Sequence, residues 1–172
     1  MRFVALIAGL ILVVPAAGAA EMLKPGDVFP AWSLVDQTGA TVASSDLAGK
    51  TYLLWFYPKA MTPGCTAEGK GLRDSYPALQ AAGVEIVGVS FDAPKDNAAF
   101  VHEYQFPFRL LSDSNRTLAA TVGAAESRDQ AVARRISYLI GPDGKVRRAY
   151  DAVNPATHAQ QVLADLAPAA KP

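Results

Sequence analysis

Residues 51–71 read TYLLWFYPKAMTPGCTAEGKG and join two structural elements of different kinds. The first seven residues are nearly all apolar and rich in aromatic side chains, which predicts a strand that is buried on both faces. Thr62 and Pro63 then mark a helix start, with threonine as the cap and proline in the first helical position, where its missing N–H costs nothing. Cys65 is therefore expected in the first turn of a helix that follows a buried strand.

The rest of the chain continues the alternation of apolar runs of strand length with amphipathic helical segments. The helix from Pro63 is expected to break near residues 75–77, with a short second segment ending at Gly83. A last helix is expected from Asn154 to about Leu166. Strands are predicted at 31–36, 40–45, 51–57, 85–91, 108–113, 134–141 and 145–151, and further helices at 92–106 and 115–123. This order predicts a single thioredoxin-like α/β sandwich, a mixed sheet flanked by helices.

Composition limits the classes of partner. The chain has 172 residues, 51% of them hydrophobic, and 16 basic residues balance 16 acidic ones. This length suits one domain with a core of its own. Because no net charge would attract a polyanion, nucleic-acid binding is not expected.

The first twenty residues, MRFVALIAGLILVVPAAGAA, have the pattern of a secretory signal peptide. One positive charge precedes an apolar run, and a proline and small residues follow it. We expect a signal peptide at 1–20, a mature domain at 21–172, and export to the periplasm or another extracytoplasmic compartment of a bacterium. No stable membrane association is expected after cleavage. The alternative is a retained anchor, because residues 3–20 carry no charge and approach the length that spans a bilayer.

Cys65 is the only cysteine, so no disulfide can form within one chain. Its surroundings allow three interpretations. Gly64, Gly69 and Lys70 resemble a phosphate-binding loop, but Gly71 stands where that motif needs a hydroxyl. The thiol could be inert and buried. It could instead be reactive, because a helix N-terminus favours an anion and is where α/β sheets place their sites.

Pro58, Thr62 and Cys65 fit the pattern P-x-x-x-T-x-x-C of peroxiredoxins. The stretch YPKAMTPGCTAEGKGLRD resembles the bacterioferritin comigratory protein (PrxQ) subfamily, and RRISYLIGPDG is similar to the strand that bears its active-site arginine, here Arg135. The resemblance implies a thioredoxin-like fold and reduction of hydroperoxides by a peroxidatic cysteine.

The resemblance also implies roles for single residues. Cys65 would be the nucleophile, and the Thr62 hydroxyl, the Arg135 guanidinium and the backbone N–H groups of Gly64 and Cys65 would bind the peroxide. Pro58 would shape and screen the pocket. Taken alone, Thr62 reads as a helix cap, Pro58 as a strand terminator, and Arg135 as one of two strand charges that face opposite ways.

Thiolate formation alone gives a small rate advantage. An ordinary thiol, with a pKa of about 8.5, is only about 3% thiolate at pH 7. Lowering a thiol pKa to about 6 raises that fraction about thirtyfold, but the accompanying loss of nucleophilicity offsets about tenfold of the gain. The larger contribution must come from groups that hold the peroxide and stabilise its departing oxygen.

The chain departs from the subfamily pattern at Lys70, where many relatives have a resolving cysteine. An external thiol, from a thioredoxin-like protein or a small molecule, would then have to restore Cys65. Two rival functions remain open, an exported peroxide sensor or thiol-relay protein and a thioredoxin-like binding module. Taken alone, Glu68 is read as an ordinary first-turn carboxylate, and Arg73 as a surface partner of Asp74 or Glu68. No cofactor is expected, and no metal site, since His102 and His158 lie far along the chain in helical segments that contain no cluster of Cys, Asp and Glu residues.

Overall fold

The computed structural model describes residues 21–151 and 153–166. The predicted signal peptide at 1–20 lies outside them and stays a prediction. Within the described residues the strands are β1 (Ser33–Asp36), β2 (Thr41–Ala43), β3 (Thr51–Phe56), β4 (Val84–Ser90), β5 (Arg109–Ser112), β6 (Ile136–Ile140) and β7 (Val146–Tyr150). The helices are α1 (Pro63–Ala81), α2 (Pro94–Tyr104), α3 (Thr117–Thr121) and α4 (His158–Leu166), and a 3-10 turn covers Ser44–Leu47.

The strands form one mixed sheet in the order β2-β1-β5-β4-β3-β6-β7. Strands β3, β4 and β5 run parallel, and β1, β2, β6 and β7 pair antiparallel to their neighbours. The predicted mixed-sheet α/β fold is thus confirmed. Because parallel strands end at the same edge of a sheet, the chain leaving β3 enters α1 at the edge where β4 and β5 also end.

Strand β3 is the centre of two hydrophobic cores. On one face Leu53 and Trp55, with Tyr57 just after the strand, pack in the core that α1, α2 and α4 cover. On the other face Leu54 and Phe56 pack in the core that contains α3. All five side chains are fully inaccessible to solvent, which confirms that the strand is buried on both faces.

Helix α1 is continuous across Pro77, so the expected break near residues 75–77 is wrong. Proline removes one backbone hydrogen bond and presses on the preceding turn. Here it lies on the exposed side of the helix, while Leu72, Tyr76 and Leu79 bury the opposite side in the core on both sides of it. The packed face therefore holds the helix through the proline. Gly83 follows the end of the helix with a φ of 77°, as expected of a left-handed cap.

Helix α4 begins later than expected. Asn154 starts a turn in which its side-chain Oδ1 accepts a hydrogen bond from the Ala156 N–H at 3.0 Å. Its carbonyl accepts another from Thr157, and the next bond, from Gln161 to the Thr157 carbonyl, belongs to the helix that starts at His158. The asparagine and proline thus form a turn before the helix instead of its first residues. None of the helices in the described residues is long and apolar enough to cross a membrane.

Gly69 and Gly71 form a matched pair on α1. A Cβ added at Gly69 would lie 2.6 Å from Cζ of Phe106, whose ring is buried and stacked on Phe108. A Cβ added at Gly71 would meet nothing within 4 Å. Packing thus requires a residue without a side chain at position 69. At position 71 it does not, and the glycine there only weakens the helix.

We predict that Gly69→Ala lowers the free energy of unfolding by about 1–3 kcal/mol, because overpacking outweighs the better helix propensity of alanine. Gly71→Ala should raise it by about 0.5–1 kcal/mol. Urea denaturation followed by circular dichroism measures both. A Gly69→Ala variant as stable as the wild type would contradict the packing described.

Candidate active site

The turn between β3 and α1 fixes where the helix begins. Met61 has a φ of 63°, an unusual left-handed conformation for a residue with a side chain, and it turns the chain into the helix. The Ala60 N–H donates a hydrogen bond of 2.8 Å to Oδ2 of Asp92, which follows β4. This bond ties the turn to the neighbouring strand end. Pro58 lies half-buried at the start of the same turn.

Thr62 occupies the N-cap position of α1 with an extended backbone, and its carbonyl accepts the first helical hydrogen bond from Thr66. Its side chain does not cap the helix, so that part of the sequence prediction is wrong. The hydroxyl instead donates back to the Lys59 carbonyl at 2.9 Å. The tight turn at Met61 brings this carbonyl within reach, and the first N–H groups of α1 donate no hydrogen bond to the Thr62 side chain.

Cys65 lies in the first turn of α1 and is fully buried. Its neighbours in the core include Trp55 and Tyr57. Burial alone would suit an inert thiol. What distinguishes this thiol is a cation, because Nη2 of Arg135 lies 3.4 Å from the Cys65 sulfur. A guanidinium at this distance stabilises a thiolate over a thiol.

Arg135 stands just before β6, the strand that pairs with β3. Its Nη1 donates to the carboxylate of Glu68, which is completely buried one turn after Cys65. Burial lowers the pKa of Arg135, but the charge of Glu68 and the contact with Cys65 raise it above its ordinary value overall. Glu68 is therefore not an ordinary first-turn carboxylate, because its side chain faces inward at an i, i+3 position from Cys65.

His158, the first residue of α4, is also fully buried. Its Nδ1 lies 2.9 Å from Oε1 of Glu68, at ion-pair distance though not in hydrogen-bond geometry. Glu68 thus has a cationic guanidinium at one oxygen and an imidazole at the other. The docking of α4 against α1 creates this contact, and local sequence gives no sign of it.

Gly64 leaves room for Arg135. A Cβ at this position would lie 3.0 Å from Nη2 of Arg135 and 3.9 Å from the Pro155 ring. Arg134 takes the opposite direction, as expected, and its Nη1 donates to the Gly123 carbonyl at 2.8 Å. Only one of the two adjacent arginines therefore reaches Cys65.

Other charged residues of α1 stay away from this cluster. Arg73 pairs with Asp74 at 2.8 Å and donates to the Tyr104 carbonyl. Lys70 is exposed. Within residues 21–151 and 153–166, no group of three or more His, Cys, Asp or Glu side chains is arranged to hold a metal ion.

Residues 25–149 match the AhpC/TSA family. Peroxiredoxin Bcp of Escherichia coli (strain K12) is 38% identical over 146 residues, which cover 82% of this chain and 94% of that protein. Peroxiredoxin Q, chloroplastic, of Populus jackii is 34% identical over 142 residues, which cover 82% of this chain and 67% of that protein.

Solved structures agree with these sequence matches. The crystal structure of peroxidoxin BcpB from Mycobacterium tuberculosis has a TM-score of 0.78 at 33% identity and covers 84% of this chain and 96% of that chain. A mutant of PrxQ from Xylella fastidiosa has a TM-score of 0.77 at 27% identity, with coverage of 84% and 95%.

The fold and these relatives define the class of thiol-dependent peroxidases. The chain belongs to the AhpC/TSA family and, within it, to the peroxiredoxins of the bacterioferritin comigratory protein (PrxQ) type, as a variant with a single cysteine. The resemblance seen in the sequence is confirmed at the level of family and fold.

Proposed function

We propose that Cys65 is the peroxidatic cysteine, that Arg135 and the first turn of α1 bind the hydroperoxide, and that an external thiol completes the cycle. The contact of 3.4 Å between the Arg135 guanidinium and the Cys65 sulfur carries this proposal. In the reaction the thiolate attacks one peroxide oxygen, an S–O bond forms and the O–O bond breaks. The departing oxygen takes a proton and leaves as water or an alcohol, and Cys65 becomes a sulfenic acid.

Arg135 serves two purposes in this step. Its Nη2 faces the sulfur and stabilises the attacking thiolate, and the same planar cation can stabilise the negative charge that develops on the departing oxygen. Glu68 holds Nη1 and leaves Nη2 directed at Cys65. The cation is therefore oriented before the peroxide arrives, which avoids the cost of ordering a long side chain during the reaction.

Thr62 and the start of α1 supply the other contacts. The Thr62 proton is directed to the Lys59 carbonyl, so its oxygen is an acceptor for the O–H of the peroxide. The N–H groups of Gly64 and Cys65 lie in the first turn, where they have no partner within the helix and can donate to the peroxide. Pro63 has no N–H to donate. Pro58 limits access of water from the side of the turn.

The substrate class is hydrogen peroxide or a small organic hydroperoxide. Because the Cys65 sulfur is buried among aromatic side chains, a small substrate is favoured over a bulky one. The bacterioferritin comigratory protein of Xanthomonas campestris, whose solved structure is 31% identical in sequence to this chain, has an alkyl peroxide reduction activity. This supports inclusion of organic hydroperoxides in the proposal.

We predict that Cys65→Ser abolishes peroxide consumption, because the hydroxyl of serine is far less nucleophilic than a thiolate. Stopped-flow mixing of the reduced protein with one equivalent of hydrogen peroxide, then with cumene hydroperoxide, measures the step. Cys65→Ser preserves size and leaves Arg135 in place, so it is a matched variant. Peroxide consumption that survives the substitution would refute the role of Cys65.

The same samples separate turnover from a sensor or relay function. Mass spectrometry after one equivalent of peroxide should show Cys65 gaining one oxygen, and thioredoxin or a small thiol should remove it over many cycles. Oxidation that stops after one equivalent and persists as a mixed disulfide with one partner protein would favour the relay.

We predict that Arg135→Ala slows the peroxide step by about 100-fold or more, while the thiolate fraction at neutral pH falls by a much smaller factor. A higher thiol pKa lowers the thiolate fraction but makes each thiolate more nucleophilic, so these two effects on the rate largely offset each other. The stabilisation of the departing oxygen, in contrast, is lost completely. Arg134→Ala is the control and should react at close to the wild-type rate. The thiolate fraction is measured by iodoacetamide alkylation against pH. If the rate and the thiolate fraction fall by the same factor, Arg135 does not stabilise the departing oxygen.

Export of the protein is part of the proposal, and the pattern of residues 1–20 is what supports it. When the full chain is expressed in a Gram-negative bacterium, we expect a periplasmic product that begins at Ala20 or Glu21 by mass spectrometry. Leu12→Arg, which interrupts the apolar run, should stay uncleaved in the cytoplasm. A wild-type chain found full-length in the cytoplasm would overturn the assignment.

A further inference from the structure

The peroxide chemistry makes no use of His158, although this residue lies beside the buried charges of the site. Arg135 Nη2 contacts the Cys65 sulfur, Arg135 Nη1 contacts Glu68, and Oε1 of Glu68 lies 2.9 Å from Nδ1 of His158. Four ionisable side chains from α1, α4 and the segment before β6 thus form a row. We call Cys65, Arg135, Glu68 and His158 the buried row.

The charges of the buried row decide which protonation states are stable together. With a thiol and a neutral imidazole, the guanidinium and the Glu68 carboxylate balance each other. When Cys65 becomes a thiolate, the row carries one excess negative charge unless His158 is protonated. Glu68 and His158 are fully buried and Arg135 is only 21% exposed, so solvent compensates such an excess poorly.

His158 is placed to respond to that excess. Its Nε2 is buried without a hydrogen-bond partner among the described residues. Protonation adds an N–H at this atom with nothing to accept it, which costs free energy. Negative charge nearby offsets this cost, and a thiolate at Cys65 adds such a charge to the row that ends at His158.

We propose that His158 is a positioning residue whose protonation is coupled to thiolate formation at Cys65, so that loss of a proton at the sulfur favours gain of a proton at the imidazole. The proton lost from the Cys65 S–H is balanced by one taken up at His158 through solvent, with no direct transfer between them. Protonated His158 draws Glu68 toward itself and leaves more of the Arg135 charge for the sulfur. This inference rests on the proposed role of Cys65.

Other charged groups near His158 do not replace this coupling. From β7, the Tyr150 ring packs edge-on against the imidazole at 5.4 Å. Burial first, and then Asp165, raise the pKa of Tyr150 above that of an ordinary phenol, so it carries no charge at neutral pH. Arg148 of β7 and Asp165 of α4 face each other at 3.9 Å and offset one another. From α1, Glu68 is the carboxylate at the imidazole.

The coupling can be measured by NMR, because the chain has two histidines and the other, His102, is exposed. Proton–carbon spectra of the imidazole C2–H groups, with His102→Gln used for assignment, follow both rings from pH 5 to 9 in the reduced protein. The same titration is repeated on Cys65→Ser, which cannot form the thiolate. Neither measurement involves peroxide or turnover, so its outcome is independent of whether Cys65 proves to be peroxidatic.

We expect the His158 titration midpoint to lie at least 0.5 pH unit lower in Cys65→Ser than in the wild type, about a threefold loss of proton affinity, with His102 unchanged. A His158 signal that does not titrate in the wild type, or that has the same midpoint in both proteins, would overturn the proposal.

The reciprocal effect provides a second measurement. In His158→Gln, which cannot be protonated, the pH midpoint of iodoacetamide alkylation at Cys65 should rise by at least 0.5 pH unit, because coupling between two sites is mutual. His102→Gln should keep the wild-type profile. An unchanged profile in a folded His158→Gln protein would overturn the coupling. If that variant does not fold, the comparison of wild type with Cys65→Ser decides the matter.

Discussion

The site depends on the ion pair between Arg135 and Glu68. A guanidinium on a flexible side chain would sample many positions, and only a few of them would face the Cys65 sulfur. The buried carboxylate of Glu68 fixes one end of the planar group, so that its other nitrogen lies 3.4 Å from the sulfur. Glu68 itself is shielded from water, with the Arg135 guanidinium at one oxygen and the His158 imidazole at the other. Because helix packing fixes Glu68, the ion pair fixes the orientation of the Arg135 guanidinium toward the sulfur.

Each partner of this pair comes from an element that the sheet fixes. Strand β6 pairs with β3 over five residues, which brings Arg135, just before β6, to the edge where β3 ends and α1 begins. Gly64 lets the guanidinium lie against the first turn of α1, where a Cβ would crowd Nη2. The pairing of β6 with β3, the start of α1 and the glycine at position 64 thus together place the guanidinium beside the Cys65 sulfur. A shift of β6 by one residue would direct Arg134 toward the site and Arg135 away from it.

Much of this arrangement could be predicted from the sequence because local patterns determine it. The apolar run before Pro58, the start of α1 at Pro63 and the position of Cys65 in the first turn all follow from neighbouring residues. The continuity of α1 through Pro77 could not, since it depends on packing against the sheet. The inward direction of Glu68 was within reach, because i and i+3 positions share a helix face. The contact between Glu68 and His158 could not be predicted, since it brings together residues far apart in the chain.

Position 70, where many relatives have a second cysteine, is too far from Cys65 along α1 for a disulfide within the intact helix. Residues five apart in a helix rise by about 7.5 Å and point about 140° apart, which already exceeds the usual Cα separation across a disulfide. Cys65 is buried and Lys70 exposed, in line with this geometry, so even a cysteine at position 70 could reach Cys65 only after the helix unwound.

An external thiol faces the same obstacle, since it must reach a fully buried sulfur. The two half-reactions thus make opposite demands on α1, with an ordered first turn for the peroxide and an opened one for the thiol. Glu68 lies one turn beyond Cys65. After Glu68, Gly69 packs against Phe106 and Leu72 is buried in the hydrophobic core. An opening that stops before Glu68 would release the sulfur and keep Arg135 in place, ready for the helix to close again.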